Sequence, residues 1–549
     1  MGTLRPIAGF LVGLALIAAA CSGDGAALPS RPMTPAPAVS ASAAVSPAAT
    51  SGPNPGSSPR PAPTPVPWLA PTSAPSPAGG WARLLIVPVA GYRSFATTVD
   101  RATVAGALAG RSARWRAVET VASETAPILG ALGLERPVTA ERLIEAQDAA
   151  SLARDLAAHP DRVGFLRADA VGPSVRALAW GDRQLFGVHR VRTAAAWPLA
   201  AWLPVAAEAA ATDPAGEWTM LVAGDVGVDR GVALAIRRHR GRVDYPYDGG
   251  MARIVGTTCC SAFGWRTPII RRTGNAGAVR DLVRSADLAL ANLEGPTPTR
   301  HSFHATGMVF TGDPALLAGL GRAGFDVLSL ANNHAGDAGA TGVVQTLRAL
   351  ERAGIAHAGA GRNLVLARRP AIVDVRGVRV AVLAYDAIAP GRAGTAARAG
   401  TARLTAKAVR ADVARARTAG ADVVIVFPHW GVEYTRTPSA SQRRLAHAAI
   451  DAGADLLVGN HPHWVQAMEV YRGRPIWYAL GNFTFDQDWS EPTMTGITLE
   501  LTFRGSRLVQ AWMRPHVQVG GVQPNLLERP SDIRRVLGPV FSASRHLGW

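Results

Sequence analysis

Lysine is almost missing from this chain: of 57 basic side chains only Lys407 is a lysine, and the rest are arginines. Cysteine is scarce too, with three in 549 residues, two of them the adjacent Cys259 and Cys260. That excludes a disulfide framework. The pair reads as two ordinary buried thiols rather than a vicinal disulfide or a metal site, because a ring closed between neighbours departs from preferred disulfide dimensions. Inside the chain no apolar run approaches the ~20 residues that cross a bilayer. The formal charge of +17 draws anionic partners such as an acidic polymer, anionic lipid or wall polymer. It comes with a general saturation in Arg, Ala, Gly and Pro, so it marks composition rather than a shaped patch. No basic motif interleaved with aromatics occurs, which argues against nucleic acid.

What is present begins with a segment of secretory type. Arg5 precedes the apolar stretch from Ile7 to Ala20, and Cys21 follows at once. Ala18, Ala19 and Ala20 before that cysteine resemble a bacterial lipobox, so residues 1–20 are expected to be a lipoprotein signal and Cys21 the lipidated amino terminus. The protein is then expected outside the cytoplasmic membrane, held to its outer face by the lipid. From Pro29 to Gly80 the chain is Pro, Ala, Ser and Thr with few large apolar groups. Such a stretch does not bury enough surface to offset chain entropy, and residues 21–80 are read as a disordered tether.

At 549 residues a single core is not expected, since cores stop growing near ~250–300 residues. A first unit, 81–212, opens on the strand-like run Leu84–Val89 and continues through helical stretches at Val104–Leu108 and Ala146–Leu156. It reads as a small α/β accessory domain with a faint solute-binding character. The larger unit, 213–549, has its motifs within 218–489 and a C-terminal extension. Its apolar runs Trp218–Ala223, Leu288–Leu293, Val327–Leu330, Val380–Ala384, Val423–Phe427, Leu456–Val458 and Ile476–Leu480 alternate with helical stretches. Short buried strands alternating with helices predict a layered α/β fold.

Polar groups able to bind metal follow most of these runs: Asp225 after Gly224, Asn292 and Glu294, Asn332, Asn333 and His334, His429 and Glu433, His461 and His463, and Asn482. Strand ends are where α/β folds place their sites. Carboxylates to bridge cations, neutral imidazoles and an amide form a donor set for a binuclear centre. Asp337, Gly336 and Gly339 read as setters of the turn after His334. Trp430, Trp464, Trp477 and Phe483 read as core or pocket wall. His301, His304 and His357 lack a strand-end context, His304 alone staying an outside candidate.

The strings GDVGVDR, ANLEGP, GFDVLSLANNHAGDAG, VIVFPHWGVEY and GNHPHWVQAMEVYRGRPIWYALGNFTFD, spread over Trp218 to Trp489, closely resemble the CapA family of capsule and poly-γ-glutamate synthesis proteins. That family is similar to calcineurin-like metallophosphoesterases, which implies a four-layer α/β/β/α sandwich and a divalent transition metal, Mn, Fe or Zn, in two sites. By the resemblance Asp225 is a ligand of the first metal and Glu294 stands where a bridging Asp would be. Asn333, His429 and His461 would bind the second metal and His463 the first. His334 would protonate a leaving group, with Asn292, Glu433 and Asn482 in supporting places. Arg230 would clamp an anionic oxygen or form a surface ion pair. The usual Asp-x-His opening is here Asp225-Val226-Gly227, one imidazole short, so the first site is expected to be the weaker.

Two functions are compatible with this reading. One is a metal-dependent hydrolase of a phosphoester or an amide, working on poly-γ-glutamate or another envelope polymer. The other is a non-catalytic component that binds, exports or anchors such a polymer beside further capsule proteins. The anchor is testable separately. Cys21→Ala is expected to move the protein from the membrane to the soluble fraction, and a variant still sedimenting with membranes would overturn the lipid anchor.

Overall fold

A computed structural model describes residues 80–204 and 213–548. The signal segment, Cys21 and the tether up to residue 79 lie outside the described residues. Among those described, no helix is long and apolar enough to cross a membrane.

The first sheet is built from β1 (Trp81–Gly91), β2 (Ala117–Val121), β3 (Leu143–Ala146), β4 (Arg162–Arg167), β5 (Val175–Ala177) and β6 (Ala200–Pro204). Its order is β3-β2-β4-β1-β5, with β6 also on β1. The helices α1 (Arg101–Leu108), α2 (Thr125–Leu132) and α3 (Ala149–Ala158) seal it with Val104, Ile128, Leu152 and Leu156. Asp100 and Asp148 cap α1 and α3 by accepting from the backbone N–H groups of Thr103 and Ser151.

The larger body rests on two facing sheets. One contains β7 (Glu217–Gly227), β8 (Met251–Thr258), β9 (Thr267–Gly274), β10 (Leu288–Glu294), β11 (Val327–Ser329) and β12 (Ala356–Ala358). The other contains β13 (Ala371–Val375), β14 (Val378–Asp386), β15 (Val423–His429), β16 (Leu456–Val458), β17 (Met468–Tyr471) and β18 (Arg474–Trp477), in the order β13-β14-β15-β16-β18-β17. The chain then returns to the first of these sheets with β19 (Asn482–Thr484), β20 (Thr495–Arg504), β21 (Arg507–Val519) and β22 (Gln523–Leu526). The large sheet runs β9-β8-β22-β21-β20-β7-β10-β11-β12, with β19 also beside β7.

Period-two patterning explains the layers. On β7, Trp218, Met220 and Val222 point between the sheets, where Val380, Val382, Ile425, Phe427 and Val458 meet them. The alternate residues Leu221 and Ala223 face outward onto α4 (Arg230–Arg238), α5 (Ala278–Arg284), α6 (Leu317–Ala323) and α7 (Gly339–Ala353). On β14 the outward residues Ala381, Leu383 and Tyr385 pack under α8 (Ala406–Thr418) and α9 (Ala440–Asp451). The result is the four-layer α/β/β/α sandwich expected from the sequence. β7, β10, β11 and β12 run parallel, as do β14, β15, β16 and β18, so both sheets send their carboxyl ends to one edge.

Two expectations are corrected. The residues beyond 489 are no appendage, because β20 pairs antiparallel with β7 from Leu499↔Val222 to Arg504↔Glu217 and completes the large sheet. Pairing between strands so far apart in the chain leaves no local sequence signal. Cys259 and Cys260, expected as buried thiols, are exposed and joined as a vicinal disulfide at the end of β8, where the chain leaves the sheet and no core is available to bury them.

The same hairpin, β20 and β21, carries the first sheet. Val509 sits in the first sheet's core. Gln510 accepts from the Ala177 N–H at 3.0 Å, and Thr502 from Gly187 at 2.9 Å. Glu500 accepts from the Val188 N–H at 2.8 Å while receiving Arg514 at 2.7 Å. Glu500→Ala strands a buried N–H and a guanidinium, so stability is expected to fall by about 1–3 kcal/mol, read as a lower denaturation midpoint. An unchanged midpoint would mean the junction rests on packing alone.

Candidate metal centre

The residues aimed at one another lie at the shared strand edge. Asp225, two residues before the end of β7, and Glu294, the last residue of β10, are sealed from solvent. Close strand approach places Asp225: a Cβ on Gly224 would collide with the Gly481 carbonyl oxygen, the same oxygen that accepts from the Asp225 N–H at 3.2 Å. Gly224 is therefore required by contact between chain segments rather than by the sharp turn that a glycine there suggests.

Asn292 is the hub. Its Nδ2 donates to Asp225 Oδ1 at 2.8 Å and lies 3.4 Å from both Glu294 Oε2 and His429 Nδ1. Its Oδ1 accepts from Asn332 at 3.1 Å, and Asn332 is itself tied to the Leu293 carbonyl at 2.8 Å. His429, at the end of β15, places Nε2 2.8 Å from Asn333 Oδ1. The His429 and His461 rings are 4.8 Å apart, and those of His461 and His463 6.2 Å. All six expected ligands, Asp225, Glu294, Asn333, His429, His461 and His463, thus come together from both sheets.

The orientation of His463 is fixed from behind. Asn482 donates through Nδ2 to the Thr493 carbonyl at 3.0 Å and to Gln487 at 3.1 Å, which turns its Oδ1 toward His463 Nδ1 at 2.8 Å. With Nδ1 carrying the hydrogen, the Nε2 lone pair faces Glu294 Oε1 at 3.8 Å. Asp225, Glu294 and His463 offer donor atoms within 4.8 Å of one another, a group able to hold a metal ion. Two buried donor atoms at the centre, Glu294 Oε1 and His461 Nδ1, have no hydrogen-bond partner. Orphaned acceptors in so buried a site fit a cation.

Electrostatics agree. Burial, followed by the charges of Asp225 and Glu433, raises the Glu294 carboxyl well above its ordinary value. Asp225 is pushed up to about 7, burial again dominating. Burial drives His461 down to about 4, His463 to about 3, and His429 well below its usual range. The imidazoles are therefore neutral ligands at any ordinary pH, and the carboxylates lack the positive charge that would hold them ionised.

His334 lies at the side of this cluster with Nε2 4.0 Å from Glu294 Oε1. Its Nδ1 is held at 2.8 Å by Asp337, which also accepts from the Phe310 N–H at 2.9 Å and pairs with Arg392. Asp337, read from the sequence as a turn residue, is thus the orienting partner of His334; the His-x-x-Asp spacing was its only sequence signal. Phe310 stacks on the His334 ring at 4.0 Å. Arg230 takes the ion-pair option: Asp486 and the Gly307 carbonyl occupy its guanidinium, which lies over Phe310 and Phe485. Three of its five N–H groups are so used. His304 is spent on Asp229 at 2.6 Å, which pins the 298–312 loop to the end of β7. Where the usual opening would carry its imidazole, a Cβ on Gly227 would meet the Phe485 ring at 3.4 Å, and His463 packs on the same ring at 5.0 Å. Glu433 is half-buried beside Tyr434 at the more open side.

Backbone strain gathers at this edge. Arg230, Tyr434, His461 and His463 have φ of 50°, 60°, 98° and 55°, a region that costs L-residues on the order of 1–3 kcal/mol each.

Residues 219–487 match the family described as "Bacterial capsule synthesis protein PGA_cap". A "Probable polyglutamine synthesis accessory protein" of Mycobacterium tuberculosis (strain CDC 1551 / Oshkosh) is 32% identical over 291 residues, covering 49% of this chain and 75% of that protein. The chain belongs to this capsule synthesis family. The family's capsule biosynthesis protein CapA of Bacillus anthracis is 42% identical over 173 residues, 31% of this chain and 42% of that protein. The PGA biosynthesis protein CapA of Bacillus subtilis (strain 168) is 34% identical over 216 residues, 39% and 57% of the two chains. The matched segments therefore span only about half of these two CapA relatives. Among solved structures, the 5′-nucleotidase precursor of Thermus thermophilus has a TM-score of 0.33 at 14% identity over 59% of each chain, a likeness too distant to assign a role.

The pKa pattern sets a pH signature for cation binding. Between its ordinary value of 3.8 and about 7, Asp225 keeps a proton that a cation must displace. His461 and His463, already neutral above about 4, add no slope there. Affinity for manganese, followed by calorimetry from about pH 5 to 8, is expected to rise with pH, with protons released on binding by Asp225 and by Glu294, whose carboxyl burial also raises. Affinity independent of pH across that window would contradict the burial of the carboxyls.

Proposed function

We propose that this chain is an envelope component of capsule polymer synthesis whose buried centre hydrolyses a phosphoester or amide bond of the polymer or its wall attachment. The observation that carries the reading is the placement of His334. Asp337 holds Nδ1, so Nε2 is the nitrogen free to give or take a proton, and it points into the donor cluster rather than away from it. Asp225, Glu294 and His463 would hold one divalent cation, and Asn333, His429 and His461 a second, in sites suited to Mn, Fe or Zn. When bound, such cations supply Lewis-acid charge to the reacting group. The protein's own part is to fix the imidazole tautomers through Asn482 and Asn292 and to hold the leaving group's proton on His334. Phe310 and Phe485 would keep water from the His334 side. Lipidation at Cys21 would keep the body on the outer face of the cytoplasmic membrane, close to nascent polymer and to other capsule proteins.

A second reading, binding without turnover, is favoured by one observation: Gly227 stands where the usual opening has its imidazole, with the Phe485 ring against it, leaving the first site one ligand short. Turnover separates the two. The manganese-loaded protein, tested on phosphomonoester, phosphodiester and γ-glutamyl amide substrates, is expected to cleave one class and to stop on chelation. His334→Ala is expected to lower the rate about 10²–10⁴-fold with metal content unchanged, and Asp337→Asn to lower it less. A fully loaded protein that cleaves nothing, or a His334→Ala variant of unchanged rate, would leave the binding reading.

A further inference from the structure

The mechanism leaves one side of the centre unused, and that side is built unlike the rest of the surface. Tyr434, whose ring lies 6.3 Å from that of His463, also lies 6.1 Å from Trp265 and 6.4 Å from each of Trp464 and Trp489. Trp265 and Trp464 meet edge to face at 5.3 Å. Trp464 directly follows the ligand His463, while Trp265 comes from the connection between β8 and β9. One aromatic wall therefore runs from the metal centre to the β8–β9 ribbon. Behind it opens a cavity of about 530 Å³ lined by Trp265, Arg266, Arg436, Ser490, Glu491 and Arg535 among others.

The charge in this cavity is unbalanced. Arg535 occupies its one carboxylate, Glu491, at 2.6 Å. Arg266 and Arg436 have no carboxylate within ion-pair distance among the described residues. Arg436 is half-buried, and its guanidinium reaches only the Val465 carbonyl at 3.3 Å while lying 5.4 Å from the Trp464 ring. A guanidinium offers five donors and seeks planar oxygen pairs. The indole N–H of Trp464 is likewise buried without a partner. At the rim, Phe263 and Val432 stay 66% and 58% exposed, so the apolar surface continues beyond the cavity.

We propose that this cavity is a binding subsite for a carboxylate-bearing polyamide chain that extends from the metal centre past Tyr434. Arg436, with Arg266, takes a side carboxylate, and the faces of Trp265 and Tyr434 cover the methylene stems beside it. The choice of ligand rests on the envelope-polymer reading above, but not on hydrolysis.

The test uses the full chain loaded with manganese and a γ-linked oligoglutamate, with binding followed by tryptophan fluorescence. Oligoglutamine and a glycerol-phosphate polymer serve as controls. The wild type is expected to bind the oligoglutamate and to ignore oligoglutamine. Arg436→Ala and Trp265→Ala should each weaken binding about tenfold or more, with melting temperature and metal content unchanged. Arg436→Lys, which keeps the charge but loses the planar fork, should fall between, and serves if the alanine variant does not fold. His334→Ala should bind as the wild type does. Wild-type affinity in both Trp265→Ala and the Arg436 variants, absence of binding, or preference for the glycerol-phosphate polymer would each overturn the subsite. Oligoglutamate binding that depends on Arg436 in a protein that hydrolyses nothing would retain the subsite and sink only the hydrolase.

Discussion

Two carboxylates sealed from water within reach of each other are the constraint on which the rest of this molecule turns. Asp225 and Glu294 lie near the carboxyl ends of adjacent parallel strands, and neither side chain meets solvent. Buried like charges are tolerable only if neutralised or paired. No arginine among the described residues pairs with them: Arg230, the nearest by chain position, is committed to Asp486. What surrounds the carboxylates is a set of neutral imidazoles and amides, among them His463, turned by Asn482 behind it. Such an enclosure is unfavourable empty and favourable around a cation, so ligand binding and stability of this edge are coupled.

The strain in the backbone follows from the same demand. His461 and His463 sit two residues apart in one loop, yet both must turn toward the strand edge from which Asp225 emerges. Left-handed backbone at both positions achieves this, and Tyr434 does the same from the facing loop. The surrounding structure holds these conformations in place: the Asp225 carboxylate receives the His461 N–H at 3.3 Å, and the Tyr434 N–H reaches the Pro462 carbonyl at 2.9 Å.

Much of this was legible in the chain because the two levels of information coincide. The short apolar runs became buried strands, and the polar residue after most of those in the larger unit became a site residue; Asp225, Glu294 and His429 are examples. What escaped notice had no local signature. Asp337 looked like a turn residue because its acceptor role exists only once His334 and the Phe310 loop are folded together. Arg230 stayed open between an anion clamp and an ion pair because Asp486, its partner, lies far along the chain. The hairpin from Thr495 to Val519 passed as an extension since it carries no metal-binding residue, although it forms the middle of the large sheet.

That hairpin has a consequence for the order in which the molecule can be made. β7, which bears Asp225, is among the first strands of the large body to be synthesised, yet its antiparallel neighbour β20 is among the last. The first sheet is also fastened to β20 and β21, in addition to the Arg190 guanidinium's bonds to the Pro214 and Glu217 carbonyls where β7 begins. Contacts so distant in sequence fold slowly and late. The amino-terminal sheet and the ligand loops must therefore wait, with apolar strand edges uncovered, until the final segment arrives. A chain truncated in its last tenth would lose the strand that holds its two ends together, and with it the metal centre, without losing a single ligand.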